Sequence, residues 1–180
     1  MATNAGRIAV VTAADNDIAQ KLLASLAAEW RRAGLKVAGL TTEAHGLADR
    51  SCSAGILCDI ATGVRFRIYL DEPPAGTSCH LDGSGVSSAC AAIIDRIADS
   101  DVVVLSKFGK LEAQQKGLYP AFEAALMMGK PILTTVARKH RDTFTAYAPQ
   151  ATSLEPDAAA ITAWCGLGGV FAPGAAGSRR

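Results

Sequence analysis

Short, mainly apolar runs recur along this chain at residues 7–11, 37–40, 101–105 and 132–136. Runs of that length without a polar face mark strands buried on both sides, as in a parallel sheet under helices. Between the first two, Ile18, Leu22, Leu26 and Trp30 recur every fourth residue. That spacing predicts an amphipathic helix with those four side chains on its buried face. Asp15 or Asp17 can cap its start and Gly34 its end. A strand, a helix and a second strand joined by short gaps predict a right-handed parallel unit.

The pattern changes over residues 55–70. Residues 55–60 form one mainly apolar run, Ala61-Thr62-Gly63 is a turn signal, and Val64, Phe66, Ile68 and Leu70 then alternate with Arg65, Arg67 and Tyr69. Strict alternation belongs to a half-exposed strand, so an antiparallel hairpin is expected, at the sheet edge or as a small flap. Residues 71–78 (DEPPAGTS) read as a loop. Ser84 can cap a helix from Val86 to about Ala98, and a helix from Pro120 to Met128 ends at Gly129. Residues 141–147 and 157–165 read as helices and 151–154 as a last strand. The stretch 166–180 is rich in glycine and alanine and is expected to be a flexible tail behind a single domain spanning 1–165.

A chain of 180 residues is long enough for one domain with a proper core. Its net charge of +1 gives no overall pull toward nucleic acid or acidic lipid, so any anion site must be local. No apolar run approaches the ~18 residues of a membrane span, and the first residues lack the features of a signal peptide. A cytoplasmic protein is expected. Cys52, Cys58, Cys79, Cys90 and Cys165 are odd in number and include no CxxC pair, which argues for free thiols over a disulfide framework.

The richest chemistry follows the run at 101–105. Residues 106–112 read SKFGKLE, and open α/β sheets bind ligands outside the carboxyl ends of such strands. Lys107 and Lys110, on a turn made by Gly109, can bind an anion or stand solvated. Arg138 and Lys139 follow the next buried strand. Neighbouring parallel strands would bring the two basic loops together, and a pocket lined by Lys107, Lys110, Arg138 and Lys139 would hold an anion through charge-assisted bonds.

The first strand-to-helix turn, residues 12–19, reads TAADNDIA. A phosphate loop needs G-x-x-x-x-G-K-[ST] there, so that bare amides and a lysine grip phosphate. Here the glycines and the lysine are missing, and two aspartates would repel phosphate. Asp15 and Asp17 read best as helix caps, while the amides around Thr12 and Ala13 can still face an anion. Ser106 stands where a Walker B aspartate would hold magnesium.

Cys79, His80 and Asp82 offer metal-ligating atoms close together, with Cys52 and Cys58 upstream. Their spacing matches no closed zinc pattern, and buried cysteines commonly serve as small apolar residues. Cys79, in a loop before a helix start, is the candidate functional thiol. No GxSxG elbow occurs, and His45, His80 and His140 are scattered, so no catalytic triad is expected.

Taken together, Gly39-Leu40, C-x5-C-D-I-A-T-G at 52–63, C-x-L-D at 79–82, FGK-x-E at 108–112 and G-x-P-I-L-T-x-V at 129–136 resemble the bacterial proteins grouped as domain of unknown function 2478, over roughly residues 7–165. Phe108, Gly109, Lys110 and Glu112 match that family's central motif, and Cys79, Leu81 and Asp82 its cysteine motif. The resemblance implies kinship with small P-loop nucleoside triphosphatases and a theme of molybdenum transport. The fold expected is a three-layer α/β/α sandwich with a mainly parallel, P-loop-like sheet and a β-hairpin insertion.

Three functions follow as expectations. The first is a non-hydrolytic binding protein for a small anion, either molybdate or a related oxyanion or a phosphorylated metabolite. Thr12, Ala13, Lys107, Phe108, Gly109, Lys110, Arg138 and Lys139 would form its site, with Cys79 and His80 closing it. The second is a divergent nucleoside triphosphatase, with Glu112 orienting water and Lys110 neutralising phosphate. The third is a protein–protein adaptor with an inherited fold. An open edge at residues 64–70 also suggests a homodimer.

Overall fold

The structure, a computed structural model, describes residues 7–48 and 55–170. Among them seven strands form one sheet: β1 (Ile8–Val11), β2 (Val37–Glu43), β3 (Ile56–Asp59), β4 (Arg65–Arg67), β5 (Val102–Phe108), β6 (Ile132–Val136) and β7 (Thr152–Leu154). Their order is β4-β3-β2-β5-β6-β1-β7. From β2 to β7 every neighbouring pair is parallel, and the β3–β4 hairpin adds antiparallel to β2.

Strand side chains alternate between two cores. Val102, Val104 and Leu133 pack with α1 (Asn16–Arg32) and α6 (Ala158–Trp164) on one face. Val103, Leu105 and Ile132 pack with α2 (Gly83–Ile94), α4 (Tyr119–Met127) and α5 (Arg141–Tyr147) on the other. The molecule is therefore a three-layer α/β/α sandwich with a mainly parallel sheet and a hairpin insertion, the architecture expected from the buried apolar runs.

The buried face of α1 is rotated from the one predicted. Ala19, Leu23, Leu26, Ala27 and Trp30 are buried, whereas Ile18 is 55% exposed. A strict every-fourth-residue row drifts about 40° around a helix at each step, and the small Ala19 and Ala27 let the helix lie close to the sheet. Trp30 is wholly buried, and its indole N–H donates to Thr162 Oγ1 at 3.3 Å. Asp15 caps this helix by accepting from the Asp17 amide.

In α2 the capping residue is Asp82, not Ser84. Its carboxylate accepts from the Ser84 amide and hydroxyl, so the helix starts at Gly83, and it ends at Ile94. β5 runs to Phe108, three residues beyond its apolar core, because Ser106 and Phe108 are buried. Gly39 in β2 has φ of +129°, and a Cβ there would lie 1.9 Å from the Val104 carbonyl oxygen. Only glycine lets β2 lie against β5 at that point.

The hairpin sits at the sheet edge. Its turn is organised by Asp59, whose buried carboxylate accepts from the Ala61 amide at 2.9 Å and the Thr62 hydroxyl at 2.7 Å and pairs with Arg96 after α2. The alternating stretch 64–70 pairs with β3 only over Arg65–Arg67. Beyond that, Ile68 and Leu70 exchange backbone bonds with Asp82 and His80. The edge strand is thus short and carries two exposed arginines, features that discourage strand addition. At the other end Leu167 is buried in the α1-side core, so the ordered chain runs past Cys165; residues 171–180 lie outside the described ones.

Candidate functional site

The carboxyl ends of β2, β5 and β6 are stitched side by side. The Thr42 hydroxyl donates to the Ser106 carbonyl at 2.9 Å, and the Ala137 amide donates to the Phe108 carbonyl at 3.0 Å. These bonds bring the loops after β5 and β6 against each other, and a cavity of about 450 Å³ opens beside them. Lys107, Lys110, Lys139 and His140 line it, together with Thr42, Ser106 and Cys79. Lys110 and Lys139 are exposed and make no ion pair among the described residues.

The FGK-x-E motif divides its labour. Phe108 is buried and lies edge-on to Phe122 and Phe144 and stacked on Tyr147, so its ring is core and touches no ligand space. Gly109 opens the single-turn α3 (Lys110–Ala113). Glu112 is 5% exposed, and its two oxygens accept from the Gly109 amide at 3.0 Å and the Leu118 amide at 2.8 Å. It clamps the end of β5 to the start of α4. A Cβ at Gly117 would sit 2.5 Å from Glu112 Oε1, which explains a glycine there. Burial raises the Glu112 carboxyl above its ordinary value, while the two amides and the charge of Lys107 pull it back down. Both oxygens are engaged by backbone, which leaves the carboxylate poorly placed to orient water.

Thr12 and Ala13 do not join this cavity. They line a separate one of about 330 Å³ between the ends of β1 and β6, with Asn16, Arg141 and Ser153. The Thr12 amide donates to the Leu154 carbonyl at 2.9 Å, and its hydroxyl lies 3.2 Å from that of Ser153. The amide is therefore spent on β7. The α1 start, where a phosphate would sit, holds the Asp15 carboxylate. Arg138 is exposed and lines neither cavity, and its place beside Lys139 is taken by His140.

The cysteine motif is dispersed in the same way. Cys79 lines the lysine-lined cavity, but Asp82 is committed to the α2 start, where the Ser84 hydroxyl chiefly holds its carboxyl low. The His80 ring contacts the Ser78 carbonyl at 3.2 Å. Cys58 sits on β3, its thiol pushed up to about 11 chiefly by burial, and Cys52 lies outside the described residues. Among the described residues no three His, Cys, Asp or Glu side chains gather to hold a metal. No helix among them is long and apolar enough to cross a membrane.

Sequence reasoning passed over Thr42 and His140 as lining residues. The signal for Thr42 was its position at the carboxyl end of a strand next to the basic one. For His140 it was adjacency to Lys139 at the same strand end.

A family model described as "Protein of unknown function (DUF2478)" matches residues 8–164. The chain is also 32% identical over 136 residues to the molybdenum import ATP-binding protein ModC 2 of Bradyrhizobium diazoefficiens. That match covers 74% of this chain and 15% of the length of that protein. No solved structure matches.

Proposed function

We propose that this chain, which belongs to the DUF2478 family, binds a small anion without hydrolysing it, at the carboxyl edge of its sheet. One observation carries the reading: Lys107, Lys110 and Lys139, with His140, converge from two adjacent strand ends on a single cavity. The carboxylate among the cavity's lining residues, Glu112, is held by two backbone amides. Cations on a partly apolar wall bind anions through charge-assisted bonds, which strengthen as water is excluded. The ligand class is an oxyanion such as molybdate or a phosphorylated metabolite. The first of these is supported by the relative's link to molybdenum import.

Titration calorimetry of the full chain with molybdate, tungstate, sulfate, phosphate and a phosphomonoester tests this. Heat from at least one of them is expected, with a matching rise in melting temperature. Silence from all five, by heat and by melting temperature, overturns the reading.

A second reading, a divergent nucleoside triphosphatase, is favoured by the ATP-binding character of that relative. It has to work without the phosphate-loop glycines and lysine, with Asp15 at the α1 start and with Ser106 in place of the magnesium acid. The first loop reads as a degenerate Walker A. Phosphate release from a panel of nucleoside triphosphates with magnesium decides between the two. Turnover that disappears in Lys110→Ala would establish the hydrolase.

A further inference from the structure

The lysine-lined cavity is much bigger than its charged end. Its volume of about 450 Å³ equals roughly fifteen waters at ~30 Å³ each, and it falls in the ~300–1,000 Å³ range of pockets that hold organic ligands. A tetrahedral oxyanion fills only a small part of that. The remaining wall is apolar: Leu57 from β3, Ile68 and Leu81 from the segments beyond the hairpin, Val86 from α2, Leu111 from α3 and Leu118 before α4. Six separate parts of the chain thus supply aliphatic side chains to one surface, while the lysines cluster at the β5 and β6 ends. Leu57, Ile68, Val86 and Leu118 are buried beneath it, while Leu81 and Leu111 are half-buried, and an inorganic anion at the lysines would leave those two against water.

Resting on the anion-binding reading above, we infer that the occupant is an organic anion with a compact apolar body. Its charged group sits at Lys107, Lys110 and Lys139, and its body lies between Leu81, Val86 and Leu111. Removing apolar surface from water then adds to the charge-assisted bonds. The polar groups select the head, and the aliphatic wall selects what the head is attached to.

Calorimetry on the full chain with 1-naphthyl phosphate, inorganic phosphate and 1-naphthol tests the inference. Naphthyl phosphate is expected to bind at least tenfold more tightly than phosphate, and naphthol more weakly than naphthyl phosphate. Ala137→Phe, which adds a ring to the cavity wall without opening a void, is expected to bring naphthyl phosphate down to the affinity of phosphate. Lys110→Ala is expected to weaken both anions together, and melting curves of both variants check that they fold. Phosphate binding as tightly as naphthyl phosphate overturns the inference and leaves the anion site standing. Naphthol binding as tightly as naphthyl phosphate overturns the anion reading and the inference with it. No binding by any of the three overturns both.

Discussion

Glu112 is the residue whose replacement separates a clamp from a catalytic base. In Glu112→Ala the Gly109 and Leu118 amides lose their acceptor in a buried place. Each orphaned buried N–H costs about 1–3 kcal/mol. Relief from burying a carboxylate offsets part of that. A net loss of about 3 kcal/mol is expected, which lowers the melting temperature of a chain of this size by roughly 6–12 °C. Glu112→Gln keeps one acceptor oxygen and turns an amide NH2 toward the other N–H, so it should lose less. The readout is urea unfolding followed by the fluorescence of Trp30 and Trp164. The pH dependence has a definite sign. Burial raises this carboxyl above its ordinary 4.5, so the folded chain binds the proton more tightly than the unfolded one. The stability this provides is fully present below pH 4.5 and is lost as pH climbs through the raised folded value. The Gln variant does not titrate there, so the gap between it and the natural chain should narrow as pH rises. An Ala variant within about 0.5 kcal/mol of the natural chain, the usual range for a surface substitution, would refute the clamp.

Gly39→Ala drives a Cβ to within 1.9 Å of the Val104 carbonyl oxygen, and a loss on the order of 3 kcal/mol is expected; hydrogen exchange in β2 and β5 should rise with it, while Gly34→Ala, in open space, costs about 1–2 kcal/mol from its positive φ alone. Asp59→Ala strips the partner from Arg96, the Ala61 amide and the Thr62 hydroxyl, and about 2–3 kcal/mol should be lost in chemical unfolding, since Arg96 is partly solvated. Lys107→Ala with Lys110→Ala should weaken the anion by ~10-fold or more through lost charge-assisted bonds, with calorimetry as the measure and a melting temperature close to that of the natural chain.

The sheet was legible because a parallel strand is buried on both faces and leaves a mainly apolar run, as in the IAVV of β1 and the VVVL that opens β5; in β6 the run holds two buried threonines, Thr134 and Thr135. The helix caps were legible in kind, though α2 used Asp82 where Ser84 was expected, since several Asx and Ser residues at a helix start compete for the same amides. Less was legible at the sheet's carboxyl edge. Strand ends there are set by tertiary bonds, Thr42 to Ser106 and Ala137 to Phe108, and such bonds leave no periodic trace. The strand order put β6 between β1 and β5, which is why Thr12 and Ala13 open into a different cavity from Lys107. Local sequence places each loop at the correct edge of the sheet but says nothing about which loops are neighbours.

That distinction changes what the FGK-x-E segment implies. Read alone, a glycine, a lysine and a glutamate after a buried strand look like the remnant of a nucleotide site, with every residue kept for chemistry. In the fold, Phe108 is core, Gly109 donates an amide and Glu112 receives two. Of the four matched positions Lys110 alone brings a cation to the cavity. The motif would therefore persist for structural reasons in a chain with no nucleotide chemistry at all. Its retention carries little weight for hydrolysis. The weight falls on residues outside it: Lys107 within β5, and Lys139 and His140 from the neighbouring strand end. A relative that kept FGK-x-E but replaced those three by acidic residues should keep this fold and lose the anion, as melting and calorimetry on a Lys107→Glu, Lys139→Glu variant of this chain would register.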